Sequence, residues 1–197
     1  MRRRHESLCL SALLPLSAVA VPRVCRAAQS LSSAVEIAAS VPSAVDSISV
    51  SPFVSYDAST KTVHVRLICA LNSALGGFNF NGGSRGDQTI TVPLGWRVHF
   101  DVRNNDAIPH SAIVIADTKP IPSVPDQPAF PAAYTSNLTA GLAPQTGHDT
   151  MDFTADKAGN YLIACGVPGH ATSGMYIRFV VSATATAPTN TGTMAQG

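Results

Sequence analysis

From about residue 51 onward, apolar and polar positions alternate with a period of two. "KTVHVRLI" places Val63, Val65 and Leu67 on one face and Thr62, His64 and Arg66 on the other. "GWRVHFDVRN" turns Trp96, Val98, Phe100 and Val102 inward and Arg97, His99, Asp101 and Arg103 outward. Successive side chains of a strand point to opposite faces, so each segment predicts a strand buried on one side. "QTITV", "GNYLIAC" and "GMYIRFVVS" continue the series, and "SAIVIAD" is a more continuous apolar run. The turn-forming clusters "NGGSRGD", "VPLG" and "RNNDAIP" separate these segments. No stretch after residue 50 carries a long helical period. Many short strands with turns at near-regular spacing predict an all-β sandwich or barrel.

Three stretches depart from that pattern. Residues 117–149 hold six prolines and no clear period, which predicts one long loop; a loop of that length in a compact domain is either functional or loosely ordered. Residues 29–50 are small and polar and read as a linker; residues 184–197, "TATAPTNTGTMAQG", read as a disordered tail. The domain between them spans 51–183. Residues 1–28 begin "MRRRHES" and continue with the apolar "LCLSALLPLSAVAVP". A basic start, a short apolar core and small residues at 18–20 and 25–27 predict an export leader, either a cleaved signal peptide or a retained N-terminal anchor.

Composition narrows the function. The net charge is +1, and five of the 13 basic residues lie in the leader, so the remainder is mildly acidic. No basic field points to nucleic acid. With the leader removed, Cys69 and Cys165 are the two remaining cysteines. Export permits a disulfide between them. Cys69, however, lies in an alternating apolar run and reads better as a small buried hydrophobe. That leaves Cys165 as a lone thiol in an oxidising compartment, which a bound metal would explain.

The stretch "CGVPGHATSGM" sets Cys165, His170 and Met175 at five-residue intervals. Thiolate, imidazole and thioether donors together select copper, and a trigonal His2Cys set with a weak axial Met is the electron-transfer arrangement. A second histidine is then required from elsewhere in the chain. His64 and His99 fall on polar strand faces and His5 lies in the leader. His148 sits in the long loop. His110 is favoured: it closes the turn "NNDAIPH", opens an apolar strand and follows Pro109, whose fixed φ stiffens the approach.

These residues carry a family resemblance. "GGFNFNG" (76–82), "TITVPLGWRVHF" (89–100), "IPHS" (108–111) and "AGNYLIACGVPGHATSGM" (158–175) resemble the blue copper proteins, the cupredoxins, and among them the sulfocyanins. The resemblance spans roughly 53–182. It implies a Greek-key β-sandwich holding one type 1 copper through His110, Cys165, His170 and Met175. It also implies a one-electron carrier in an exported respiratory chain, in the periplasm or on the outer face of the membrane. Its partners would be transient redox proteins of the cytochrome or terminal oxidase class. Ser111 follows the first ligand, where many cupredoxins have Asn; serine there resembles rusticyanin and implies a high potential, tuned by a hydrogen bond from Ser111 to the thiolate beside a stiff Pro109.

Around His170, the uncharged Val167, Pro168, Gly169 and Ala171 predict a small apolar docking patch suited to weak redox encounters. The chain is expected to be a monomer. One saturated metal with no open position predicts a carrier and not an enzyme, and no H-x-H pair suggests further coppers. A copper carrier or store without an electron-transfer role uses similar donors and stands as the alternative. Elsewhere Trp96 reads as core, Tyr161 as a corner residue with a bonded hydroxyl, Phe78 and Phe80 as core, and Asn79 and Asn81 as backbone ties.

Overall fold

The computed structural model describes residues 47–193. The predicted export leader (1–28), residues 29–46 of the predicted linker and residues 194–197 of the predicted tail lie outside the described residues. Ten strands run in chain order: β1 (Ile48–Ser51), β2 (Val54–Asp57), β3 (Thr62–Cys69), β4 (Gln88–Pro93), β5 (Arg97–Asn104), β6 (Ile113–Ala116), β7 (His148–Thr154), β8 (Gly159–Ala164), β9 (Tyr176–Ser182) and β10 (Thr189–Gly192). They form two five-stranded sheets, ordered β1-β2-β3-β5-β7 and β10-β4-β9-β8-β6. The pairs β3–β5 and β4–β9 are parallel and the remaining pairs are antiparallel.

The core lies between the sheets and follows the period-two pattern. Val63, Val65 and Leu67 of β3 and Val98, Phe100 and Val102 of β5 face Ile90 and Val92 of β4 and Ile177, Phe179 and Val181 of β9. Trp96 is core, only 8% exposed. Tyr161 buries its ring and donates its hydroxyl to the Lys157 carbonyl at 2.8 Å. Each fully buried Val, Leu, Ile or Phe of this core contributes roughly 1.5–3 kcal/mol relative to exposure.

The continuous apolar run at β6 has a tertiary cause. Ile113 and Ile115, with Leu162 and Ala164 of β8, form a second cluster with Ala171, packed against Ile121, Leu138 and Tyr176. Strands buried on both faces lose the polar half of their alternation. The cover comes in part from the proline-rich loop, which is well packed. Phe130 enters the core and stacks on Phe153, with centroids 5.1 Å apart. The loop backbone also pairs with the β6 edge: Ala129 N–H donates to the Val114 carbonyl, Val114 N–H to Ala133 and Thr135 N–H to Ala112. An otherwise open sheet edge is thereby satisfied.

Two expected boundaries are corrected. The domain starts before 51, because residues 48–51 form β1. Within the predicted tail, Thr189–Gly192 are a strand, β10, paired with Gln88–Thr91 of β4. Neither β1 nor β10 carries much apolar signal: β10 is mostly exposed, β1 sets only Val50 against the core, and backbone pairing to a neighbour holds both. β2 and β7 also escape the alternation reading.

The β2–β3 turn carries a pH signature. The Asp57 carboxylate accepts from the Ser59 hydroxyl and amide and from the Thr60 hydroxyl and amide. The Ser59 hydroxyl, then that of Thr60, hold this carboxyl below its usual range. A depressed folded-state value stabilises fully above the unfolded value of about 3.9 and is lost as pH falls through the lower folded value. Urea midpoints measured from pH 6 to pH 2 should therefore fall less steeply below about pH 4 for Asp57→Asn than for the unaltered chain. Parallel curves would remove Asp57 from the acid response.

Candidate metal centre

The four sequence-predicted donors lie in two loops at one end of the sandwich. His110 is in the β5–β6 connection. Cys165 directly follows β8 and Met175 directly precedes β9, so strand pairing brings the ends of their loop together. Cys165 N–H donates to the Met175 carbonyl at 3.1 Å, and Met175 N–H to that of His170 at 3.0 Å. The even spacing thus reflects one closed loop with His170 at its bend.

His110 Nδ1, His170 Nδ1 and Cys165 Sγ converge. The two nitrogens are 3.2 Å apart, and the sulfur is 3.9 Å from His110 Nδ1 and 3.5 Å from His170 Nδ1. The point equidistant from all three lies about 2.1 Å from each, which is a metal–ligand bond length. His110, Cys165 and Met175 are fully buried, and His170 is half-buried. Among the described residues, these two histidines and Cys165 are the one cluster of this kind able to hold a metal ion. His148 instead pairs with Asp101 and His99 with Asp152, both on the outer face of a sheet. Cys69 and Cys165 are free thiols, which removes the disulfide reading.

Electrostatics suit neutral donors. Burial, then the neighbouring His110, pushes the His170 pKa down, favouring neutral imidazole. Burial pushes the Cys165 thiol up, opposed by the Ser111 amide, so binding a metal at this sulfur releases a proton. Cys69 is pushed up further by burial and is chemically quiet.

Ser111 does reach the sulfur, through its backbone and not its hydroxyl. Its backbone N–H points to Cys165 Sγ at 3.4 Å, while its hydroxyl donates to the Leu138 carbonyl at 2.6 Å and accepts the Gly166 amide at 2.9 Å. A hydroxyl has one proton, and Leu138 takes it. The Oγ–Sγ separation is 3.9 Å. Ser111 therefore ties the long loop to the donor loop, and its amide is what reaches the sulfur. Pro109 is exposed and packs beside Gly141, where φ is +77° and a Cβ would lie 2.8 Å from Pro109 Cβ and 3.0 Å from Val167 Cγ2. The docking patch is also corrected: Val167 and Gly169 are half-buried and Pro168 is exposed, but Ala171 is fully buried in the second cluster.

Three residues around the site escaped the sequence reading. Phe78 is half-buried against the donors, with its centroid 4.7 Å from that of His170 and 6.0 Å from that of His110. Buried Asn104 donates to the carbonyls of Ile108, Leu142 and Ala143, which clamps the His110 loop to the long loop. Asp106 Oδ2 accepts from His110 Nε2 at 2.8 Å. For Asp106 the i, i+4 spacing to His110 was the available signal; Phe78 was read only as core, although it stands in the "GGFNFNG" motif, and Asn104 acts through distant chain and left none.

A β-sandwich of two five-stranded sheets, with this His-Cys-His trio at one end, is a cupredoxin. Residues 49–192 match the family model described as the sulfocyanin (SoxE) domain. A sulfocyanin of Sulfolobus acidocaldarius is 31% identical over 140 residues, covering 68% of this chain and 70% of that protein. The chain belongs to the sulfocyanin family. Among solved structures, a reduced rusticyanin is 28% identical with a TM-score of 0.46, covering 62% of this chain and 80% of its own. Rusticyanin from Thiobacillus ferrooxidans is 23% identical with a TM-score of 0.42, covering 62% and 82%.

Proposed function

We propose that the chain binds one copper ion as a type 1 centre and acts as a one-electron carrier. The observation that carries this reading is the convergence of two imidazole nitrogens and one thiol sulfur on a single buried point. His110, Cys165 and His170 would hold copper in a plane, with Met175 as the weak axial donor. Bound copper supplies the Cu(II)/Cu(I) couple. The chain's own residues hold the donors in place, exclude water and offer a path to the surface. Donors fixed by the loop closure, Asn104 and Ser111 limit rearrangement between oxidation states. The apolar, buried setting around Phe78 favours the less charged Cu(I), which supports a high potential.

Electrons would pass through His170, the one half-buried donor. Pro109, Val167, Pro168 and Gly169 surround it with a small uncharged surface, and exposed Ile108 adjoins them in the chain. Such a surface fits brief contact with redox proteins of the cytochrome or terminal oxidase class. The export leader supports a place in a respiratory chain outside the cytoplasm, in the periplasm or on the outer membrane face, with the N-terminus as an anchor where it is retained.

The test is a visible spectrum of the purified chain with Cu(II), then with ascorbate. An intense band near a 1:1 ratio that bleaches on reduction and returns on reoxidation is expected. A colourless protein that binds Cu(I) alone would point to a carrier or store, and no copper binding would remove the reading.

A further inference from the structure

We propose that Asp106 is a positioning residue of the copper centre: it grips His110 at Nε2 so that Nδ1 faces the metal, and its negative charge favours Cu(II) over Cu(I). The inference rests on the copper reading above and concerns how this chain tunes that centre.

The carboxylate is placed with care. Its Oδ2 lies 2.8 Å from His110 Nε2, its Oδ1 accepts the Ala107 amide at 2.7 Å, and its own amide donates to Asn104 Oδ1 at 2.9 Å. Its carbonyl accepts the Gln145 amide at 2.8 Å, which binds the turn to the long loop. The room for Oδ2 comes from Gly77: a Cβ there would lie 2.6 Å from that oxygen, and φ at Gly77 is +94°. Two segments distant in sequence thus meet to seat one carboxylate behind one imidazole.

An ionised carboxylate only accepts hydrogen bonds, so His110 Nε2 carries the ring proton and Nδ1 keeps its lone pair toward Cys165 and His170. A carboxylate behind a metal-bound imidazole also raises the donor strength of the ring. Cu(II) bears one more positive charge than Cu(I), so a fixed negative charge nearby stabilises the oxidised form more. The carboxylate therefore opposes the apolar setting, and the potential reflects the balance of the two. Among the described ion pairs, Asp106 has His110 as its partner, so no cation cancels this charge.

The test uses the full chain with Asp106→Asn, which keeps shape but removes charge, and Asp106→Ala, which removes the grip. In the copper-free protein, nitrogen NMR of labelled histidine should show His110 as a single Nε2–H tautomer, and Asp106→Ala should mix the two. In the copper-loaded protein, Asp106→Asn should shift the preference toward Cu(I) by about tenfold, a rise of about 59 mV for one electron. Asp106→Ala should also weaken Cu(II) retention by roughly 10–100-fold. Urea midpoints of both variants show that the fold survives. An Asp106→Asn potential equal to or below that of the unaltered chain would overturn the proposal, as would an unchanged tautomer in Asp106→Ala. Failure of the unaltered chain to take up copper would instead sink the copper reading, and the tautomer measurement would still report on the grip.

Discussion

Replacing Cys165 with alanine should abolish the visible band and the copper-dependent rise in thermal stability, while replacing Cys69 with alanine should spare both. The two thiols are equally buried and both free, so burial does not separate them. What separates them is geometry: Cys165 Sγ lies 3.5 Å from His170 Nδ1 and 3.9 Å from His110 Nδ1, whereas Cys69 ends β3 inside the core. Without copper, each substitution should cost about 1 kcal/mol, the ordinary effect of a small buried truncation. With free copper at a thousand times its dissociation constant, the unaltered chain should gain about 4 kcal/mol. For a domain of this size, that gain corresponds to a rise of roughly 10 °C. Cys165→Ala should show no such rise. A Cys165→Ala protein that kept the band would place the sulfur ligand elsewhere.

Asn81→Ala should be strongly destabilising for a change at a polar residue, at about 2–4 kcal/mol. Asn81 is fully buried; its Oδ1 accepts the Ile68 amide at 2.8 Å and its Nδ2 donates to the Arg66 carbonyl at 2.9 Å. β2 pairs β3 only as far as Val65, so beyond that point the asparagine side chain stands in for a neighbouring strand. Asn79 repeats the device toward Leu71, Gly82, Asn72 and Ala74. Alanine would leave a donor and an acceptor without partners and would also strain a backbone at φ +54°. Asn81→Gly removes the strain alone and should recover about 1 kcal/mol. Urea unfolding of the copper-free chain measures both. Because this segment carries Gly77 and Phe78 to the donors, Asn81→Ala should also hasten copper loss. An Asn81→Gly cost near zero would show that the side-chain ties are not what holds this turn, and an Asn81→Ala cost no greater than that of Asn81→Gly would remove the strain.

Much of this molecule was legible one segment at a time. Period-two alternation identified β3 and β5 with their inward faces, because each strand buries one side against the opposite sheet. The donor loop could be read because Cys165, His170 and Met175 share eleven consecutive residues, and because softness of donors is a property of residue type. The asparagines of "NFNG" were readable as backbone ties because short side-chain amides between turn residues bond backbone groups, although for Asn81 those groups lie on β3, distant in sequence.

Other features depended on chain that is distant in sequence. β1 and β10 are held by pairing to β2 and β4, so their own side chains announce little. The stretch at 117–149 looks structureless in sequence, yet its last two residues, His148 included, open β7, and Phe130 and Leu138 and the backbone bonds to β6 make the rest a cover for one sheet. The hydroxyl of Ser111 turned to Leu138 because that carbonyl lies nearer than the sulfur. Ala171 left the surface because Ile113 and Leu162 stand behind it. By itself, the sequence determined strands β3, β4, β5, β6, β8 and β9, the type of donor set and the loop that supplies three of its members. Only the tertiary structure decided that His110 meets them and that Asp106, over Gly77, stands behind it, because those contacts join segments whose separation no local pattern encodes.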